Sequence, residues 1–438
     1  MQLLFKLQVL LHWLRFRFWP GDPASRAQVE ARQRRALRKL LRWLRRRSPW
    51  YREALAAAGG DWRRLPVMRK RSFMDAFSRI NTAGIALEEA YALALEAERS
   101  RDFSPTLRGI TVGLSTGTSG NRGIFLVSPG ERARWAAMMF HRVAPPRSLR
   151  RRRLAFFLRA NSNLYSSVRS SLLEFAFFDL LEPAERNLSR LHAFQPDLLI
   201  AQPSMLRIIA DAQLRGALAI RPERVISVAE VLEPRDRELC AQAFGQEIHQ
   251  VYQCTEGFLA CTCRLGTLHW NEDLILLEKR YADEHRTRYF PIITDLTRRT
   301  QPVVRYELDD LILPPAVPCP CGSPFEAIGA IEGRLDDVFL LRDQAGTLQT
   351  VFPDFVRRAL IQADPAVEDY QAVQTGPDEV VVHFNGPEAL LEPMMRNLGA
   401  LFQRMNLTPV QIRPGGLLPP QEGRKLRRVS RTWTPPAG

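Results

Sequence analysis

Cysteine is scarce in this chain, with six residues in 438, too few for a disulfide scaffold. Four of them fall in two close pairs, Cys261 with Cys263 and Cys319 with Cys321, which points to a reducing compartment and a metal. Long hydrophobic runs are missing too. In the apolar first nineteen residues the longest uncharged stretch is Leu7 to Leu14, far short of the roughly 20 residues that a bilayer span requires. No small-residue cleavage pattern follows it, so a signal peptide is not expected. The GxxxxGK[ST] loop of common nucleoside triphosphatases is absent. So are zinc-finger, homeodomain and RNA-binding signatures, and no internal repeat is visible. Acidic residues are rare at one end: residues 1–50 hold 13 Lys and Arg against Asp22 and Glu30.

What remains is an ordinary globular composition, 45% hydrophobic and 25% charged, in a chain long enough for two or three domains. The net charge of +15 is concentrated in that first stretch. It calls for an acidic partner: an anionic membrane surface, an acidic carrier protein or nucleic acid. The missing signatures argue against nucleic acid. Met1 to Trp19 reads either as an interfacial helix carrying Trp13, Phe16, Phe18 and Trp19 or as a helix docked on the protein's own body. Pro20-Gly21-Asp22-Pro23 then breaks the chain. From Ala24 to Ala57 the spacing Leu37, Leu40, Leu41, Leu44 predicts an amphipathic helix with an arginine-covered face.

Between Leu65 and Pro318 short apolar runs alternate with helical stretches. Leu154–Leu158, Leu198–Ile200, Val225–Val228 and Ile248–Tyr252 read as buried strands, separated by helices at Arg132–Arg142, Ser204–Arg215 and Pro234–Ala243. That alternation predicts a mostly parallel, helix-covered α/β sheet. The run Arg150 to Arg153 reads as a solvated edge. After Gly333 the pattern changes to strands at Gln349–Val351, Asp369–Gln374 and Glu379–Phe384, with helices at Pro353–Ala363 and Pro387–Asn406. This predicts a smaller α+β domain. The expected divisions are a basic apolar extension 1–31, a large domain 32–335 and a small one 336–438.

The stretch around which the rest is arranged is Leu114-Ser115-Thr116-Gly117-Thr118-Ser119-Gly120-Asn121-Arg122-Gly123, three glycines and four hydroxyl residues in ten positions. Glycine lets a backbone approach an anion closely, so N–H groups and hydroxyls here can wrap phosphate oxygens. By itself such a loop is also an ordinary turn. Four more stretches follow in order: Val251-Tyr252-Gln253-Cys254-Thr255-Glu256-Gly257, Pro302-Val303-Val304-Arg305-Tyr306-Glu307-Leu308-Asp309-Asp310, Glu332-Gly333-Arg334-Leu335-Asp336-Asp337, and Gly423-Arg424-Lys425-Leu426-Arg427-Arg428.

This set and its order resemble the acyl-adenylate-forming superfamily, and within it the phenylacetate–coenzyme A ligase branch and the synthetases that adenylate a deazaflavin coenzyme. The resemblance runs from about Arg32 to Val429 and leaves the first thirty residues outside. It implies an AMP-binding large domain, a mobile lid and ATP-dependent activation of a carboxylic acid, with an aromatic acid favoured. Charge builds on the phosphates in such a reaction, so positioning and electrostatic stabilisation carry the catalysis. By resemblance, Ser115, Thr116, Gly117, Thr118, Ser119, Gly120, Arg122 and Gly123 cradle the β- and γ-phosphates, with Arg122 standing where the family usually has lysine. Glu256 holds Mg²⁺, an oxygen-ligand task for a hard cation. Thr255 touches the α-phosphate, Tyr252 flanks the adenine, and Glu230 falls near the adenine-binding segment. Asp310 takes the ribose hydroxyls, with Asp309 its neighbour and rival. Arg334 contacts ribose and phosphate, Asp336 is the hinge about which the lid rotates, and Lys425 reaches the α-phosphate, with Arg424 as its rival.

Cys263 and His269, then Cys319-Pro320-Cys321-Gly322, are soft ligands on turns of the kind tetrahedral Zn²⁺ prefers. The branch has a similar set, which supports Cys263, His269, Cys319 and Cys321 as a structural zinc site, with Cys261 able to replace His269. Nothing in the motifs identifies the acyl pocket; Phe156, Phe157, Asn161, Asn163 and Tyr165 are candidates, against the ordinary tendency of aromatic strand residues to be core. The resemblance implies an acyl-AMP intermediate passed to coenzyme A or to an acidic carrier protein's thiol. The alternatives are a stable AMP ester on a hydroxyl substrate and an inactive membrane-associated homologue. The expected location is cytoplasmic, with residues 1–50 offering a peripheral contact to the inner face of an anionic membrane.

Overall fold

The computed structural model describes residues 2–18, 22–115, 123–143, 151–158, 173–364, 367, 369–418 and 427–434. The chain begins with helices α1 (Gln2–Arg17), α2 (Arg26–Arg47), α3 (Pro49–Ala57), α4 (Lys70–Asp75), α5 (Phe77–Ile80) and α6 (Leu87–Ser100). The single helix expected over Ala24–Ala57 is therefore two. Ser48 ends α2 and its side chain accepts from the Tyr51 N–H to cap α3, while Pro49 at the first turn of α3 cannot continue the α2 ladder.

A two-stranded ribbon, β1 (Thr111–Leu114) and β2 (Ile124–Val127), flanks the glycine loop and leads into α7 (Pro129–Val143). Next come β3 (Arg152–Leu158), β4 (Leu173–Asp179), α8 (Ala184–Phe194), β5 (Leu198–Ala201), α9 (Pro203–Leu214), β6 (Arg224–Val228), α10 (Pro234–Phe244), β7 (Ile248–Cys254), β8 (Gly257–Thr262) and β9 (Leu268–Trp270). Further along lie β10 (Ile275–Tyr281), β11 (Tyr289–Asp295), β12 (Tyr306–Glu307), β13 (Asp310–Leu313), β14 (Ala327–Ile328) and β15 (Ala330–Arg334). The small C-terminal region holds β16 (Phe339–Arg342), β17 (Leu348–Val351), α11 (Pro353–Ile361), β18 (Asp369–Gln374), β19 (Glu379–Asn385), α12 (Leu391–Arg404), β20 (Gln411–Pro414) and β21 (Val429–Arg431).

The chain forms two compact units. One comprises residues 1–280, 291–308 and 314–329; the other comprises 281–290, 309–313 and 330–438. The first is built on an eight-stranded sheet of order β14-β9-β8-β7-β6-β5-β3-β4, parallel from β4 across to β7 and antiparallel beyond. Side chains alternate across it with the period of two that a pleated strand imposes. Ala155, Phe157, Leu199, Ala201, Val225 and Ile248 pack in the core formed with α8, α9 and α10. Their neighbours Leu154, Phe156, Leu198, Ile200, Val228 and Val251 face a cavity on the other side. Of the expected solvated edge at Arg150–Arg153, Arg150 lies outside the described residues and Arg151 is exposed, but Arg152 is buried inside β3 and its Nε donates to Glu223 at 3.1 Å.

In the second unit β13 pairs antiparallel with β15, Asp310 opposite Arg334, and β11 joins through Tyr289↔Ile312. A four-stranded sheet, β20-β19-β18-β21, packs with α11 and α12 around Val356, Leu360, Tyr370, Val380, Val382, Leu398 and Phe402. Inside this unit Arg288 donates to both oxygens of buried Glu332 and lies over the Phe352 ring, 4.5 Å from its centroid. A buried charge pair needs that completeness, because desolvation otherwise outweighs the attraction.

Candidate functional site

The cavity on the free face of the large sheet has a volume of about 110 Å³. Strands β3 to β7 form its floor and α7 supplies Trp135, Met139, Phe140 and Val143 from above. Among the described residues of its lining the polar groups are the Gln253 amide and the Trp135 indole N–H, which donates to the Gln253 side-chain carbonyl oxygen at 2.9 Å. A group entering this space meets aromatic and aliphatic carbon almost everywhere, so a charged tail would lose its hydration without replacement. Phe156 lines the cavity, whereas Phe157, one residue on and therefore on the opposite face, stacks against Phe178 in the core. Phe157 is accordingly a core residue. Asn161, Asn163 and Tyr165 lie outside the described residues.

At one end of the cavity Ala229 adopts φ 69° in a turn closed by the Glu230 N–H donating to Val228 O at 2.9 Å. A classic γ-turn of this kind is strained for a residue with a Cβ, and such strain gathers at functional sites. Glu230 receives a 3.4 Å bond from the Ser204 N–H at the start of α9, where the helix dipole favours a carboxylate.

Of the hydroxyl-glycine loop, Thr116, Gly117, Thr118, Ser119, Gly120 and Arg122 lie outside the described residues. Its two ends are tied together: Ser115 N–H donates to Gly123 O at 2.7 Å and Gly123 N–H to Ser115 Oγ at 2.6 Å. A Cβ at Gly123 would come 3.5 Å from Lys70 Cε, so the α4 lysine stands at the base of the loop. No motif in the sequence singled out Lys70. Only its place at the start of a short helix after Met68, which bridges to Tyr306, brings it there.

Thr255 and Glu256 form the two-residue turn between β7 and β8, with Cys254↔Gly257 as the last pair. Thr255 Oγ1 donates to Glu256 Oε2 at 2.8 Å. Arg298 holds this turn by donating to Thr255 O at 2.5 Å, and it also donates to Leu126 O of β2 and to Gln301 Oε1, both at 3.2 Å. The strand leaving the glycine loop and the Thr255 turn are thus fixed by one guanidinium. Beside them Asp295 is buried against Gly257, whose Cβ, if present, would lie 3.0 Å from Asp295 Oδ2. Burial lifts the Asp295 carboxyl above its usual range despite Arg298 and Thr297. Glu131, at the start of α7, goes the other way. Burial works against its charge, but bonds from Thr300, the Arg299 and Thr300 N–H groups and Ser128 outweigh it and lower the carboxyl. Arg298, Gln301, Asp295 and Glu131 carry no motif signature; each was invisible because its partners are far away in sequence.

Tyr252 is half-buried on β7, its ring centroid 5.8 Å from that of Trp270. In the second unit Arg334 Nη2 donates to Asp309 Oδ2 at 3.2 Å and its Nε stands 3.9 Å from Asp310 Oδ1. Both carboxylates flank the same arginine. Asp336 lies in the single turn Leu335–Asp337, where Asp337 accepts from the Arg334 N–H at 2.7 Å and from Arg427. Lys425 and its rival Arg424 lie outside the described residues; Arg427, two positions on from Lys425, is anchored to Asp337 in the Leu335–Asp337 turn.

Cys263, His269, Cys319 and Cys321 bring their ligand atoms within 4.8 Å of one another. The Cys263 and Cys319 sulfurs are 3.8 Å apart, and Cys321 Sγ lies 3.4 Å from His269 Nε2. His269 Nδ1 is 2.8 Å from Phe325 O, the bond that fixes the tautomer leaving Nε2 free to ligate. Backbone N–H groups of Leu265 and Ser323 point at the Cys263 and Cys321 sulfurs, each at 3.4 Å. Burial opposes charging Cys319, but bonds from Thr267, Cys321 and His269 bring that thiol down to about 6. Cys261 instead pairs with Asn271 Oδ1 at 3.4 Å and is not part of the cluster. These four residues have the donor set and closeness for one tetrahedral ion.

No protein-family profile matches the chain. It is 24% identical over 291 residues to a phenylacetate-coenzyme A ligase of Thermus thermophilus, a match covering 56% of this chain and 62% of that one, so the chain spans less than two thirds of that relative. Among solved structures, it superposes on 2-hydroxyisobutyryl-CoA ligase in the postadenylation state with a TM-score of 0.69 at 16% identity, covering 92% of this chain and 90% of the other. A fatty acyl-adenylate ligase structure, from work on the E. coli and L. pneumophila enzymes, gives a TM-score of 0.52 at 12% identity over 72% of this chain and 68% of that one.

Proposed function

We propose that this chain, which has the fold of the acyl-adenylate-forming superfamily, activates a carboxylic acid with an apolar, aromatic tail at the expense of ATP. The acid's carboxylate oxygen attacks the α-phosphorus and the bond to pyrophosphate breaks, giving acyl-AMP; a thiol then displaces AMP to leave a thioester. The acceptor is the thiol of coenzyme A or of an acidic carrier protein. The observation that carries the substrate side is the cavity: about 110 Å³, walled by Trp135, Phe140, Phe156 and Phe175, with the Gln253 amide and the Trp135 N–H its polar groups among the described residues. Space of that order suits one ring, since a 150 Å³ apolar cavity is known to take benzene.

On the nucleotide side, the Ser115–Gly123 loop receives the β- and γ-phosphates, and Arg122 and Lys425 supply cations to them and to the α-phosphate. Glu256, held at its turn by Thr255 and Arg298, ligates Mg²⁺, which neutralises phosphate charge when bound. Asp310 takes the ribose hydroxyls and Arg334, which both acids flank, orients it. Cys263, His269, Cys319 and Cys321 hold structural Zn²⁺. The basic first fifty residues form a peripheral contact with an anionic surface.

Incubation with ATP, coenzyme A and a panel of aryl, hydroxyaryl and fatty acids tests this directly. Thioester and AMP formed from an aryl acid whose ring carries no charged substituent is the expected result. An AMP ester that persists with coenzyme A present would replace it with the hydroxyl-substrate alternative. Substituting Ile200→Trp, which fills the cavity from β5, is expected to raise KM for the acid by about tenfold or more while the KM for ATP stays within about twofold.

A further inference from the structure

The first helix is apolar on two sides, and the protein covers one of them. Phe5, Val9, His12, Trp13 and Phe16 are half-buried; Phe5 lies beneath the Arg132 guanidinium of α7, 5.1 Å away, and Phe16 stacks on His141 with centroids 6.2 Å apart. The other side is bare. Leu4 is 66% exposed, Leu7 and Leu10 50%, Leu11 53%, Leu14 37%, and Phe18 just past the helix 67%. At 100° per residue these six fall within an arc of about 120°. Lys6 and Arg17 border that arc on one edge and Arg15 on the other, and α1 contains no acidic residue. An exposed apolar stripe edged by long cationic side chains matches the water–lipid boundary, with the leucines among the acyl chains and the cations at anionic headgroups. No helix among the described residues is long and apolar enough to cross a membrane, which leaves lying on the surface.

From this arrangement we infer that α1 is a membrane-surface helix that seats the enzyme on anionic lipid through Leu4, Leu7, Leu11, Leu14 and Phe18. Charge complementarity selects the occupant. A second copy of the chain would bring the same cationic edge against itself, whereas anionic lipid complements Lys6, Arg15 and Arg17 and the excess of 13 basic over 2 acidic residues in positions 1–50. The geometry adds a purpose, resting on the reading of the cavity as the acyl site. Helix α1 packs along α7, meeting it at Arg132 and at His141, and α7 also roofs the cavity with Trp135, Met139, Phe140 and Val143. The helix that meets the bilayer is therefore one helix away from the cavity, in the layer where apolar acids concentrate.

Co-sedimentation with phosphatidylcholine vesicles, with and without 30% phosphatidylglycerol, tests the docking apart from the chemistry. The full chain is expected to bind the anionic vesicles and not the neutral ones, with binding falling as salt rises. Leu7→Glu with Leu11→Glu should lower that binding by about tenfold or more, and Lys6→Gln with Arg15→Gln by a smaller factor, both with unchanged thermal unfolding, because these side chains are exposed. Equal binding by the Leu7→Glu/Leu11→Glu protein would overturn the assignment. So would a wild-type dimer in sedimentation velocity that this double variant dissociates, with no vesicle binding by either protein. Loss of vesicle binding with acid-dependent pyrophosphate exchange intact would leave the proposed reaction standing; binding without exchange would separate the two in the other direction.

Discussion

At the scale of single residues, two positions show constraints, one from close approach and one from burial. Gly333 stands at φ 143° on β15, and a Cβ there would lie 2.9 Å from Asp337 Oδ2. Gly333→Ala is therefore expected to destabilise the protein by about 1–3 kcal/mol, read as a lower urea midpoint at unchanged slope. His249 on β7 makes a second prediction. Burial, with Arg224 and Arg237 nearby, lowers its imidazole to about 4 from the ordinary 6.5. Between those values the unfolded chain binds a proton that the folded chain refuses, so His249 costs stability as pH falls through that window and nothing above it. His249→Gln, which keeps a hydrogen-bonding partner for Thr262 Oγ1, should flatten stability against pH between about 6.5 and 4 in denaturant titrations. An unchanged slope there would contradict the burial argument.

At the scale of elements, much of the large unit was legible. The strands β3, β5, β6 and β7 and the helices α7, α9 and α10 lie where apolar runs and helical periodicity predicted them, because in a buried parallel sheet each strand is a continuous apolar run. What sequence could not supply was sidedness: Phe156 and Phe157 differ only by one step of the pleat, and only the three-dimensional sheet shows that the first faces the cavity. It also could not decide between the two readings of α1, one of whose apolar faces lies on α7 while the other is exposed. The cysteine cluster is an element-scale device. It joins the β8–β9 hairpin to the 314–329 segment, whose strand β14 forms the edge of the eight-stranded sheet beside β9. Cys319→Ser should reduce bound zinc from about one per chain to near zero by metal analysis and lower the melting temperature, since metal binding free energy is folding free energy. Zinc retained at full occupancy would rule out this ligand set.

At the scale of the whole molecule, the motif order announced the adenylate-forming fold, and the superposition over 92% of the chain agrees with it. The motifs that carried the resemblance are short and contiguous in sequence, whereas Arg298, Gln301 and Lys70 make their contacts across distant segments and leave no local mark. The central claim is formation of an acyl-adenylate in this fold, and acid-dependent exchange of labelled pyrophosphate into ATP measures it most directly. With Mg²⁺ and an aryl acid whose ring carries no charged substituent the wild-type protein should exchange, while Glu256→Gln should fall by about 100-fold and Lys425→Ala by a similar factor. If ATP binds and no acid supports exchange, or if both variants exchange as well as the wild type, the account is contradicted.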